Sequence, residues 1–346
     1  MLTAVTDRYF ADGGHALDFT NKAFESLDII GWEHAPAILP SLVDQVVSAR
    51  GSEESNAWRQ PIDLVPLCEA AFAELPELLA DGRAKRGSWT GDEVLARLLM
   101  GDDPAAIVAA LKSALRDGAT ATDLSRAIAY TAARRVALFG ISNEHSDWDT
   151  ALHCFTYSNA VHQLLTRITA ETPIELQRPE LLRGVFHAAM QVYLIRFLNV
   201  PPARLPGEGN DGLEGLPRDG GELRDAFLIA LDRQGAVKTA GRLIARYLTL
   251  GHPVEPLIAT LARATLREDA EFHTYQMLEA GVQQYWQWRG SAAGHQILIA
   301  VARYIAAHSP TERAQLQTAM VARRLSLGEA VHEAEDEEDT HPVFGQ

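Results

Sequence analysis

Apolar residues recur at three- and four-residue intervals along almost the whole chain. Val94, Leu95, Leu98 and Leu99 form one such stripe, Ile107, Val108, Leu111 and Leu115 a second, and Leu243, Ile244, Tyr247 and Leu248 a third. That spacing is the signature of amphipathic helices, and no convincing strict alternation of the kind a half-buried strand needs is found. Turn signals fall where helices would stop, at Gly31, Gly118, Gly140, Gly251 and Gly290. The pattern predicts an all-α protein, a multi-helix bundle or helical array of a dozen or more helices. Three starts can be named. Thr90 followed by Glu93 spells a capping box, Asp103-Pro104 places proline in a first turn, and Ser309-Pro310-Thr311-Glu312 combines both signals ahead of the last long helix.

One stretch breaks the pattern. Residues 201–222 hold four prolines and six glycines, a composition that disfavours any helix. The expected organisation is a helical lobe over 1–200, a Pro/Gly-rich loop over 201–222, a second lobe over 223–328 packed on the first, and an acidic tail over 329–346. The loop is either a lid over a pocket or a plain connector.

Composition narrows the function classes. With 346 residues, 47% hydrophobic and 22% charged, the chain can bury one large core or two smaller ones. A net charge of −15 and a pI near 5.2 disfavour nucleic acid and anionic membrane, which both reward clustered Lys and Arg. No run of about 18 apolar residues and no leader pattern occur, so a soluble cytoplasmic protein is expected. Cys68 and Cys154 sit in no CxxC or CxxH pattern. Cys154 reads as a buried structural thiol. GxSxG, P-loop and HExxH motifs are absent, and the GxGxxG match at 207–212 lies in the Pro/Gly loop with no strand before it.

The candidate chemistry is histidine. His15, His153, His187 and His273 each stand near the start of an amphipathic run, and Asp149 and Asp269 lie four residues before His153 and His273. At about 100° per residue, each Asp/His pair would share one helix face. His145 would extend the first pair by a turn if the helix reaches back past Ser142-Asn143-Glu144. His162, nine residues after His153, falls on the opposite face; Glu271 and Glu279 should point away from His273. Asp18 and Glu25 are the candidates for a further carboxylate. Imidazoles and carboxylates converging inside a helical bundle suit a divalent first-row metal, iron ahead of manganese where positions stay open. They suit equally well a set of core histidines, each satisfied by its own neighbour. Glu329-Ala330-Val331-His332 is a single Glu-x-x-His, where a di-iron bundle needs two.

Several longer stretches carry a resemblance. Gly14-His15 through Gly31-Trp32-Glu33-His34-Ala35, Asp147-Trp148-Asp149-Thr150 through Asn159-Ala160-Val161-His162-Gln163, Phe197 to Pro202, and Arg267 to Gln276 resemble a His-rich helical domain of bacterial proteins. That domain is often fused to a Rieske iron-sulfur domain and is distantly similar to the questin oxidase-like family. The similarity spans most of residues 10–325. It implies an oxidoreductase with the histidine segments at its centre. This chain has no Cys-x-His pair for a Rieske cluster, so any electron delivery would come from a separate protein.

Together these readings give two expectations. The first is a metal-dependent, oxygenase-like oxidoreductase acting on a small organic molecule in a His/Asp-lined cavity. His153, Asp149, His273 and Asp269 would then bind metal, with His15 and His187 as catalytic groups. The alternative is a non-catalytic helical binding or scaffold protein with structural histidines.

Overall fold

The computed structural model describes residues 14–48, 63–170, 172–208 and 212–329, and among these no strand occurs. The helices are α1 (His15–Ile30), α2 (Ala35–Ile38), α3 (Val43–Ser48), α4 (Leu64–Gly82), α5 (Asp92–Leu99), α6 (Pro104–Arg116), α7 (Ala121–Ala137) and α8 (His145–Thr169). After them come α9 (Arg183–Leu194), α10 (Gly220–Ala230), α11 (Val237–Thr249), α12 (Val254–Arg267), α13 (Phe272–Gln287), α14 (Ala292–Ala307) and α15 (Ala314–Ser326). The all-α expectation holds.

Three helices make the centre. α7 is buried on nearly every side, and much of its surface is alanine (Ala127, Ala129, Ala132, Ala133, Ala137). Small side chains let backbones approach closely, so α8 and α14 both pack directly on it. α8, 25 residues and roughly 37 Å long, also touches α1, α9 and α13. Residues from both sides of the Pro/Gly loop enter one continuous apolar core, from Leu17 and Phe155 to Leu257 and Ile297.

Local signals explain some ends and miss others. Asp103 caps α6 as expected, its carboxylate accepting from the Ala105 and Ala106 amides at 2.9 and 3.2 Å. Thr90 does not cap α5. That helix begins at Asp92 after Gly91, and Asp92 is drawn to Arg126 of α7 at 3.1 Å. Ser309 does not start the last helix either. Its hydroxyl donates back to the Ile305 carbonyl, and 309–313 is a connector pinned where the Thr311 amide and hydroxyl donate to Glu268. α10 begins inside the stretch expected to be loop, because Asp219 accepts from the Gly221 and Glu222 amides at 2.8 and 3.0 Å. A good cap there outweighs the poor propensity of two glycines. Most of the acidic tail, Glu329-to-His332 after its first residue, and positions 209–211 of the GxGxxG match lie outside the described residues.

Candidate metal centre

α8 carries Asp149 and His153 one turn apart, as the spacing predicts, since the helix begins at His145 behind a reciprocal cap of Glu144 and Asp147. Two other helices start against it. His15 is the first residue of α1 and His273 the second of α13. Gly14, at φ 70°, makes the turn into α1 where an L-residue is strained. A Cβ there would lie 2.0 Å from the Tyr157 ring, so only glycine lets α1 come this close to α8.

The result is a cluster of three imidazoles from three helices. His15, His153 and His273 each offer a ring nitrogen, all within 4.8 Å of one another. The His153 and His273 Nε2 atoms are 3.0 Å apart, and the His15 ring packs edge-on to His153 at 4.4 Å between centroids. Phe19 and Phe272 wall the cluster, with Phe272 6.2 Å from the His15 ring. Burial, and then the neighbouring His15 and His273, push His153 down to about 3, against the pull of Asp149. His153 is therefore neutral near pH 7, the form that ligates a metal. Metal–nitrogen bonds of about 2.1 Å put two ligands on one ion at most about 4.2 Å apart. Three ring nitrogens within 4.8 Å of one another lie close to that span, so the residues fit a divalent ion.

Asp149 faces a cavity of about 170 Å³ that it shares with His273, Tyr304 and His308. The Tyr304 hydroxyl donates to Asp149 Oδ1 at 2.7 Å, and His308 Nε2 lies 3.2 Å from the same oxygen. Burial raises the Asp149 carboxyl, but the His308 and Tyr304 hydrogen bonds outweigh it and hold it down at about 2. The Tyr304 phenol is driven up, by burial and then by the Asp149 charge. His273 belongs to both places, one ring edge on the cluster and the ring itself on the cavity wall.

One turn further along α1 and α13 is a buried polar layer. Gln276 Nε2 donates to Asp18 Oδ2 at 2.7 Å, and Lys22 pairs with Glu25 at 2.8 Å and with Glu279. Asp18 Oδ1 is buried without a partner. Burial carries the Asp18 carboxyl up to about 7, with Lys22 opposing.

Two residues named from the sequence stand elsewhere. Asp269 lies before α13 and not on it, so the one-turn geometry assumed for Asp269 and His273 does not exist. Its two oxygens accept from the Ala314 and Gln315 amides at 2.9 and 2.8 Å, which makes it a cap for α15. His187 is on α9, its ring edge-on to Phe72 of α4 at 5.3 Å, and it is not one of the three clustered imidazoles. His162, correctly set aside, turns to Ser125 Oγ at 3.1 Å on α7. Glu271, expected to face away, is the extended N-cap of α13, and its carboxylate reaches to 3.9 Å from His273 Nδ1. A helical-wheel angle does not apply to a residue outside the helix. Cys154 is a fully buried free thiol, as read.

Sequence reasoning missed Tyr304 and His308. Tyr304 is in the last turn of α14 and His308 follows its last residue, the same four-residue spacing as Asp149 and His153, but their partner carboxylate is more than 150 residues away.

No protein-family model matches the chain, and neither a curated protein nor a solved structure is similar to it at a significant level.

Proposed function

We propose that this protein is a metal-dependent oxidoreductase of the oxygenase type, acting on a small organic molecule held in the cavity beside the His15/His153/His273 cluster. The observation that carries the proposal is the convergence of three imidazoles from three separate helices, next to a cavity that one of them also lines. A triad of this kind leaves coordination positions for a substrate or oxygen. Imidazole donors suit iron, copper, nickel and zinc better than manganese, and neither Asp149 nor Asp269 joins the set. Iron remains the first choice because of the oxidoreductase resemblance carried by these same segments. A bound ion would supply Lewis-acid and, if iron, redox chemistry at those open positions.

The chain's own groups then have distinct roles. Asp149, kept ionised by two donors, is an acceptor for a substrate hydroxyl or amine in the cavity rather than a proton store. Asp18, whose carboxyl exchanges its proton near neutrality one turn behind His15, is the group suited to hold a proton. The N-termini of α1 and α13 bring partial positive charge to the cluster, which favours an anionic fourth ligand. Reducing power, where the reaction needs it, would come from a separate electron-transfer protein.

Metal analysis of the purified protein tests the proposal. Near-stoichiometric iron, lost in a folded His153→Ala/His273→Ala variant, is the expected result. Zinc in its place would keep the site and replace oxidation by hydrolysis. Protein that neither carries nor takes up a divalent metal sinks the proposal.

A further inference from the structure

One helix takes no part in the core. α15 has 13 residues and runs about 20 Å. Among the described residues every other helix of eight residues or more buries at least two side chains, whereas α15 buries none and no helix packs along it. Only its first turn is tied down, by Asp269 accepting from the Ala314 and Gln315 amides. A helix shorter than about 12–15 residues is marginal in water without packing. Nor is α15 a polar rod suited to solvent. Leu316 and Met320 lie on one side, Val321 and Leu325 across from them, and Leu327 follows. Met320, Leu325 and Leu327 are 59%, 60% and 61% exposed. A helix apolar on both sides is normally enclosed, and nothing in the described chain encloses this one.

Its ends differ in charge. Arg323 and Arg324 make the tip basic in a chain of net charge −15. Arg324 reaches only Glu329, at 3.8 Å, and Arg323 makes no ion pair among the described residues. The root is acidic. Asp232 and Glu268 hold Arg313 just ahead of α15, Asp269 caps it, and Glu271 and Glu312 stand there with no arginine or lysine partner among the described residues. Ile229 and Leu266, 62% and 67% exposed, end α10 and α12 just before Asp232 and Arg267, which pair at this root at 3.3 Å. Tip and root therefore match, basic and apolar at one end, acidic and apolar at the other.

We propose that α15 is a dimerisation arm, packed antiparallel on α15 of a second copy of this chain, each basic tip on the other copy's acidic root. A surface that carries both a patch and its complement is what a two-fold interface needs. Parallel arms would instead set arginine tip against arginine tip.

Sedimentation velocity and hydrogen exchange on the full chain test it. Two such arms make a small interface, so a reversible monomer–dimer equilibrium is expected across about 1–200 µM. Over that range protection of the 315–326 amides should rise at least tenfold. Met320→Glu/Leu325→Glu should leave a folded monomer at every concentration, since both side chains are exposed, and Arg323→Glu/Arg324→Glu should weaken the dimer at least tenfold. Should the first variant unfold, the concentration dependence of exchange in the wild type decides by itself. A wild type that is monomeric throughout overturns the proposal; if its α15 is then protected at every concentration, the chain's own acidic tail covers the helix instead. A dimer that survives Met320→Glu/Leu325→Glu is built elsewhere, and one indifferent to the arginine reversal is not antiparallel; each overturns the proposal too.

Discussion

Acid should destabilise this protein through a histidine far from the metal centre, and His187 shows how much. Its ring is 2% exposed between α9 and α4, against Phe72. Burial, with Arg183 adding to it, pushes His187 down to about 3, whereas in the unfolded chain it titrates near 6.5. The folded state therefore keeps His187 neutral throughout the interval in which the unfolded state takes up a proton. Stability from this group is complete above pH 6.5 and declines as the pH falls toward 3. Between pH 7 and pH 5 the loss is about 2 kcal/mol, from 1.36 kcal/mol per pH unit over the part of the interval below 6.5. His162, held at about 4 mainly by burial, adds a loss of about the same size. Asp18 works the other way. Its carboxyl, raised to about 7, is protonated in the folded state first, which returns about 2 kcal/mol over the same range.

Urea unfolding of metal-free protein at pH 7 and pH 5 measures the balance. His187→Gln, which cannot titrate, should start less stable at pH 7 but lose about 2 kcal/mol less on acidification than the wild type, with an unchanged denaturant slope. A variant that loses as much as the wild type would refute the argument, because His187 would then be protonated in the folded state.

Two further outcomes follow from geometry. Asp269→Ala should remove the cap of α15, at a cost of about 1 kcal/mol, and speed hydrogen exchange over 314–318 while leaving metal content intact; a fall in metal content would make Asp269 a ligand after all. Gly14→Ala should strain the turn into α1 by roughly 1–2 kcal/mol, and the Tyr157 clash should swing His15 off the cluster. Metal titration should then show affinity reduced tenfold or more, and an unchanged affinity would mean that His15 is not a ligand.

Periodicity was enough for the fold class, because an amphipathic helix is a local object whose apolar stripe is set by 3.6 residues per turn. The same geometry was enough for Asp149 and His153, which do lie on one helix, and for the exclusion of His162. It failed for Asp269 and Glu271 for a single reason. The start of α13 is fixed by the 268–271 segment, in which Glu268 accepts from Thr311 and Arg313, the Asp269 amide donates to Thr311 and the Asp269 carboxylate accepts from the first turn of α15, some 42 to 46 residues later. Nothing near Asp269 in sequence announces that partner.

The sequence by itself thus determined an all-α chain, the histidine-bearing helices and a Pro/Gly-rich break near 201–222. Which histidines meet was decided in three dimensions. His15, His153 and His273 converge because Gly14 lets α1 close on α8 and because α13 begins three residues after Asp269 rather than before it. His187, with much the same local sequence context, faces α4 instead. The cavity around Asp149 was equally hidden, since its walls come from three separate stretches of chain. Local sequence sets each helix and its stripe; long-range packing decides where a stripe ends and what its polar members meet.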